Sequence, residues 1–439
     1  MIMEYLPNIL FIILLGIGIG FFAKNVKKLI RNIKLGRNVD VSDNKSQRWK
    51  NMAMIALGQS KMVRRPIAGF LHIVVYLGFI IINIEVLEII IDGIFGTHRI
   101  GLSILPKAVY GFLIGAFEVL AILVFVAVII FWIRRNIIKL TRFWKSEMTS
   151  WPKNDANFIL YFEMVLMMLF LVMNATDAHF QSLNAGNVIS QYIAPWFSGL
   201  SESTLHIVER TAWWFHIIGI LVFLNYLYFS KHLHILLAFP NTFYGRLAPQ
   251  GQFDNLEAVT KEVKLMMDPN VDPFAAPAEG TASDVPAKFG ASDVQDLNWV
   301  QLLSAYTCTE CGRCTSECPA NQTGKKLSPR KIMMDTRDRL EEVGKNIDTN
   351  KGAFKEDGKQ LLDTYITREE LWACTTCSAC VEACPVSIDP LSIIIDMRRY
   401  LVMEQSAAPV ELNNMMTNIE NNGAPWPYNQ MDRLNWENE

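Results

Sequence analysis

Apolar residues along this chain gather, within its first 240 positions, into five runs: Tyr5–Ala23, Pro66–Ile91, Ala108–Ile133, Asn157–Ala175 and Thr211–Ser230. Each comes close to or exceeds the ~20 residues with which an α-helix crosses the hydrocarbon of a bilayer. The pattern predicts transmembrane helices at about 5–23, 66–91, 108–133, 157–175 and 211–239, the last carried past its apolar run as one continuous helix. Polar texture takes over after residue 240. The stretch PNVDPFAAPAEGTASDVPAKFGASD, rich in Pro, Ala, Gly and Ser, reads as a linker within 241–295.

From residue 296 to 405 the pattern becomes short and amphipathic, and it repeats. LNWVQLLSAY in one copy and REELWA in the other, the latter opened by the capping box Thr367-Arg-Glu-Glu370, predict a first helix. Ser328-Pro329 and Asp389-Pro390, an N-cap followed by proline in the first turn, open the second. Their bodies align, Ile332-Met-Met-Asp335-Thr-Arg337 with Ile393-Ile-Ile-Asp396-Met-Arg398, apolar inward and basic outward at helical spacing. Residues 406–439 form a C-terminal extension expected to bind a partner. The expected fold is all-α: a five-helix transmembrane bundle (1–240) followed by a cytoplasmic α-helical domain.

Charge orients the bundle. Lys and Arg number 12 between Lys24 and Arg65, 2 between Gly96 and Lys107, 6 between Arg134 and Asn157, and 1 between Asp177 and Arg210. By the positive-inside rule the N-terminus lies outside, and residues 231 onward lie in the cytoplasm. No basic stretch precedes the first run and no small-residue cleavage site follows it, so it reads as an uncleaved anchor in the inner membrane. With 51% hydrophobic residues, a mean hydropathy of +0.19 and a net charge of −2, the composition points to lipid and away from nucleic acid.

All eight cysteines fall in two boxes, Cys308-x-x-Cys311-x-x-Cys314-x-x-x-Cys318-Pro and Cys374-x-x-Cys377-x-x-Cys380-x-x-x-Cys384-Pro. This is the spacing of paired 4Fe-4S clusters, in which three thiolates wrap one cubane and the fourth reaches the other. The expected ligand sets are Cys308, Cys311, Cys314 and Cys384 for one cluster, and Cys374, Cys377, Cys380 and Cys318 for the second. Structural zinc favours separated Cys pairs, and disulfides need an oxidising compartment. Neither accounts for two matching four-Cys boxes.

The bundle has seven histidines with which to hold a b-type haem: His72, His98, His179, His206, His216, His232 and His234. His72 lies near the cytoplasmic edge of the second helix, and His234 approaches that edge from the fifth. On a continuous helix His216 and His234, 18 residues apart, share one face about 27 Å apart in depth. An inner haem on His72 and His234 is expected, with an outer haem on His216 whose partner would come from His98, His179 or His206. Arg64, Arg65 and Lys231 are either propionate partners or solvated anchors. Glu118 and Glu163 are either proton carriers or interhelical hydrogen-bond partners, while Glu85 and Glu88 read as the wet end of the second helix.

The arrangement of His72 with the segment HIIGILVFLNYLYFSKHLHILLAFPN resembles the cytochrome b of respiratory nitrate reductase (its gamma polypeptide) and of membrane heterodisulfide reductase. YTCTECGRCTSECPA and WACTTCSACVEACPV resemble the heterodisulfide reductase C-type two-cluster ferredoxin and its bacterial membrane-bound relatives. The resemblance implies an electron-transfer subunit with two 4Fe-4S clusters and one or two b-type haems. Its expected partners are the quinone pool, a catalytic subunit with CCG motifs, which this sequence lacks, and electron-transfer flavoprotein. No G-x-G-x-x-G fingerprint or phosphate loop suggests a substrate-converting site of its own. A non-haem scaffold or redox sensor that presents the clusters to a regulatory partner is the competing class.

Overall fold

The computed structural model describes residues 5–270 and 288–438, the side chain of residue 258 aside. Helices α1 (Leu6–Ile33), α2 (Pro66–Phe95), α3 (Lys107–Asn136), α4 (Trp151–Thr176) and α5 (Glu202–Tyr226) are long and apolar enough to span a membrane, and no β-strand occurs among the described residues. Proline in the first turn of α1, α2 and α4 fits positions where no backbone donor is needed. α5 starts at Glu202 rather than Thr211, because the Ser201 hydroxyl accepts the Thr204 amide at 3.2 Å and caps an extension of about two and a half turns that carries Glu202, His206, Glu209 and Arg210.

In the bundle α4 packs on both α3 and α5, α2 lies on α3, and α1 bridges α2 and α5. The interior is apolar, built on Phe11, Ile82, Ile114, Phe117, Val124, Phe170 and Ile217. Large apolar side chains such as Ile13, Phe70, Phe112 and Val222 are exposed on the outside, where lipid would cover them.

The fifth helix is not continuous. α5 ends at Tyr226, Ser230 is extended (φ −113°, ψ 147°), and a new helix, α6 (His234–Tyr244), begins four residues later. Buried Asp155 of α4 accounts for the break, since it accepts the Tyr226 hydroxyl at 2.6 Å and the Lys231 amide at 3.1 Å. The Ser230 hydroxyl then takes the His232 amide at 3.0 Å. His216 and His234 therefore sit on different helices, and the face-sharing expected of one continuous helix does not apply.

α7 (Glu257–Met267) follows as an exposed amphipathic helix. The predicted linker sequence lies largely in residues 271–287, outside the described residues. On its two sides the chain is packed: Asn241 is buried in α6, and Ala291 and Val294 are buried in the cysteine-bearing domain. That domain is built of α8 (Trp299–Thr307), α9 (Pro329–Thr349), α10 (Arg368–Trp372) and α11 (Pro390–Met403), with an outlying α12 (Val410–Asn422). The Asn298, Ser328, Thr367 and Asp389 side chains cap the first four, at the positions the two sequence copies share.

The domain is seated on one end of the bundle. A single apolar core runs from Leu29 of α1, Ile159 of α4 and Leu227 to Leu302, Ile332 and Ile393. Residue 36 approaches so closely that a Cβ there would stand 2.7 Å from the Trp299 nitrogen, which only glycine avoids. Arg37 donates to the Leu297 carbonyl at 2.7 Å and accepts from the Trp299 amide at 3.1 Å. Polar ties complete the seat: Asn32 to the Tyr306 hydroxyl at 2.9 Å, Asn241 to the Val386 carbonyl at 2.8 Å, and Arg65 to Glu317 at 2.8 Å.

Candidate electron-transfer site

Each cysteine box begins where a helix stops. Cys308 caps the end of α8, and Cys374 follows α10 by one residue. Both boxes then use the same backbone device. The second residue after the first cysteine and the first after the second cysteine are left-handed: Glu310 (φ 53°) and Gly312 (φ 70°) in box 1, Thr376 (φ 58°) and Ser378 (φ 60°) in box 2. The turns curl the chain so that amides point inward at sulfur. Thr376 N–H donates to Cys374 Sγ at 3.4 Å, the Glu310 amide donates to Cys308, and the Val386 and Ile388 amides donate to Cys384. Such N–H···S bonds stabilise negative charge on a cluster.

Short helices Arg313–Glu317 and Ala379–Ala383 pack against each other, which crosses the boxes. A small cavity of about 20 Å³ is lined by Cys308, Cys311, Cys314, Cys380 and Cys384. Burial pushes the Cys384 thiol up to about 11 and the neighbouring Cys311 adds to the rise, while burial raises Cys308 to about 12. Burial raises Cys374 and Cys380 as well, and nearby Cys318 adds to both. Cys384 is thus placed among the first three cysteines of box 1, in a cavity that Cys380 also reaches, and Cys318 stands beside Cys374 and Cys380 of box 2. Crowded, buried thiols with raised pKa values are poor places for uncompensated thiolate charge, and bound iron supplies the compensation.

Charged residues around the boxes are less visible in the sequence. Arg337 and Arg398, expected to point outward, turn toward the boxes instead. Arg337 pairs with Glu310 at 2.8 Å, and Arg398 donates to the Leu371 carbonyl at 2.6 Å and the Cys374 carbonyl at 2.5 Å while lying over Trp372. Fully buried Arg330 donates to Glu147 at 2.7 Å and to the Arg142 carbonyl at 2.6 Å, joining box 1 to the loop between α3 and α4. Arg313, between Cys311 and Cys314, donates to the Lys61 and Met62 carbonyls at 3.1 and 3.2 Å, just ahead of α2. The repeated Arg337/Arg398 register was the one available hint of these contacts.

Six residues into α2, His72 faces His234 at the start of α6, with ring centres 6.4 Å apart and planes tilted by 43°. Two imidazoles on opposite sides of one metal, with metal–nitrogen bonds of about 2 Å, place their ring centres roughly 6 Å apart. His234 Nδ1 contacts the Lys231 carbonyl at 3.1 Å, an arrangement that leaves Nε2 as the free donor, and His72 Nδ1 is buried without a partner. This donor pair fits a haem iron. The ring beside His216 is Phe170, and His216 Nδ1 contacts the Leu166 carbonyl at 3.1 Å. His98 and His179 pair with each other at 6.1 Å, and exposed His206 stands by Glu209, so none of the three is brought to His216. His232 packs against Phe223 and His234.

Arg64, Arg65 and Lys231 are engaged by acids of the cysteine-bearing domain: Glu382, Glu317 and Glu310 respectively. Buried Glu118 accepts the Asn174 amide at 3.0 Å and the Ile189 and Ser190 backbone amides at 2.7 and 3.0 Å, the interhelical role. Glu85 is only 3% exposed, so it is not the wet end of its helix.

Residues 307–388 match the 4Fe-4S dicluster domain family. Among curated proteins, the chain is 29% identical over 98% of its length to a probable iron-sulfur-binding oxidoreductase, FadF, of Bacillus subtilis, covering 61% of that protein. It is 26% identical over 96% of its length to an EtfAB:quinone oxidoreductase of Syntrophomonas wolfei, covering 57% of it. Its cysteine-bearing part is 33% identical over 108 residues, 24% of the chain, to the C component of a ferredoxin/F420H2-dependent CoB-CoM heterodisulfide reductase of Methanosarcina acetivorans, covering 52% of that polypeptide. The chain thus spans about 60% of the two relatives it matches along its whole length. No solved structure matches it.

Proposed function

We propose that this iron–sulfur membrane protein, whose dicluster domain is of the heterodisulfide reductase C type, relays single electrons between a cytoplasmic partner and the quinone pool. The observation that carries the reading is the seat of the cysteine boxes on the end of the bundle where His72 and His234 face each other. The order of the relay follows from burial. Cys377 of box 2 is exposed and suits exchange with a partner, whereas box 1 is held against the bundle by Arg313, Arg330 and Glu310. Electrons would pass between the set Cys374, Cys377, Cys380 and Cys318, the set Cys308, Cys311, Cys314 and Cys384, and a b-type haem on His72 and His234. Haem supplies a one-electron couple inside the membrane; the protein's part is to fix both imidazoles and to keep water from them.

The basic connections 24–65 and 134–157 lie at the same end as the dicluster domain, which supports a cytoplasmic position for it. The partner is proposed to be a CCG-motif catalytic unit or electron-transfer flavoprotein, the latter and the quinone following the activity named for the Syntrophomonas relative. The exposed apolar residues Val410, Met415, Met416, Ile419 and Trp426 offer it a docking surface.

A reduced-minus-oxidised absorption spectrum of the purified full-length protein tests the haem. A b-type α band is expected, abolished by His72→Ala or His234→Ala with the iron and sulfide content retained. A correctly folded protein with both clusters and no α band would leave only the scaffold or sensor reading.

A further inference from the structure

The far end of the bundle, away from the dicluster domain, holds a second constellation that electron transfer does not use. Asp92, in the last turn of α2, accepts the Arg99 amide at 2.7 Å and the Ile100 amide at 3.1 Å, folding the following turn back over the helix ends. His98 is thereby set 3.3 Å, Nε2 to Oδ2, from Asp177, which caps the short helix Ala178–Ser182. Glu209 joins them from α5. One ligand atom from each of the three lies within 4.8 Å of the other two. Asp177 and Glu209 are buried, and His98, 43% exposed, stands at the mouth.

The same three residues line a small cavity together with Glu85, Glu88, Asp92, Arg99 and Arg210, so five carboxyl groups meet two guanidinium groups. Arg99 bonds Asp177 at 2.7 Å, and Arg210, 34% exposed, pairs with Glu209, so each of the two carboxyl groups is held in place by a guanidinium. An independent feature points to a polar occupant. Glu85 is 3% exposed, lines this cavity, and its Oε2 has no hydrogen-bond partner. A buried carboxyl oxygen left unpaired is costly, and water bound to a cation would supply the missing donor.

We propose that His98, Asp177 and Glu209 bind a divalent transition-metal ion of the zinc class at the end of the bundle opposite the dicluster domain. One imidazole with two carboxylates is a borderline donor set that suits zinc over magnesium or calcium, whose sites are built from oxygen alone. A cation held there covers the cavity in which Glu85 lies. His179, its ring 6.1 Å from that of His98, stands beside the site on the exposed side.

The test uses the full-length protein in detergent, clusters intact, chelator-treated and dialysed, then titrated with zinc by calorimetry. One zinc per chain is expected at micromolar or lower concentration, unaffected by millimolar magnesium. His98→Ala and Glu209→Gln should each weaken it by at least the roughly 10- to 100-fold that loss of a ligand's hydrogen-bond partner costs. Cluster absorbance and melting temperature identify any variant that misfolds, and the exposed His98 supplies a substitution that folding tolerates. X-ray absorption at the zinc edge should give nitrogen and oxygen neighbours at about 2.0 Å, whereas sulfur at about 2.3 Å would place the metal in the cysteine boxes. Sulfur neighbours, no binding below millimolar zinc, or wild-type affinity in both variants would overturn the assignment.

Discussion

Box 1 and box 2 are near copies in spacing and in backbone, each bending through two left-handed residues, yet they live in different surroundings. In box 1 the second of the two residues between the first two cysteines is Glu310, locked between Lys231 and Arg337 and 3% exposed. Its counterpart in box 2 is Thr376, whose hydroxyl does no more than reach the neighbouring Thr375 carbonyl at 2.7 Å. Gly312 of box 1 lies under the Arg330 guanidinium, whereas Ser378 carries a side chain at the same left-handed position. One local motif has thus been used twice, its opening turn locked against the membrane bundle in box 1 and exposed at Cys377 in box 2, whose far end is still tied to the bundle through Glu382 and Val386.

Breaking that asymmetry should have graded effects. The largest is expected from Glu310→Ala, which leaves buried Lys231 with the Pro152 carbonyl and, as its nearest carboxylate, Asp155 at 3.8 Å, and leaves Arg337 with Asp338 alone. Loss of one member of a buried ion pair costs about 3–5 kcal/mol, while Thr376→Ala should stay within about 1 kcal/mol in chemical denaturation. Burial pushes the Glu310 carboxyl up, but Lys231 and Arg337 outweigh it and hold the group below the usual carboxylate range. Its contribution is therefore complete above that range and lost as pH falls through the depressed value, so the gap between wild type and Glu310→Ala should close in acid.

Gly312→Ala comes next. A Cβ there would stand 2.5 Å from Arg330 Nη1 on a backbone at φ +70°, and about 1–3 kcal/mol of destabilisation is expected. Ser378→Ala should be close to neutral, so equal thermal shifts for the two would erase the distinction. The smallest effect belongs to Arg64→Ala. Its pair with Glu382 is about half exposed on both sides, and melting temperatures should register under about 1 kcal/mol, less at high salt.

Much of the architecture was legible in advance. Five apolar runs are five membrane-length helices, and the caps Ser328, Thr367 and Asp389 start helices where their side chains predict. The two cysteine boxes themselves were plain from their spacing, and residues 307–388 match a 4Fe-4S dicluster domain. Less legible was the break after Tyr226: nothing in the run of residues 227–233 announces that Asp155, more than seventy positions earlier, takes the Lys231 amide. The burial of Glu85 and the meeting of His98, Asp177 and Glu209 were invisible for the same reason, and the inward turn of Arg337 and Arg398 was hinted at only by their repeated register.

What the sequence by itself determined is whatever depends on neighbours a few positions apart: spans from hydrophobic runs, helix starts from caps, and the two cysteine boxes from their three-residue rhythm. Tertiary structure alone decided which face of each element meets which. It turned His72 and His234 toward one another across a helix break and left His216 beside Phe170. It also locked the opening turn of one cysteine box against the bundle and left Cys377 of the other exposed. The physical reason is that partner choice for a buried charge or imidazole is set by desolvation and by donors from distant segments, which no local pattern encodes.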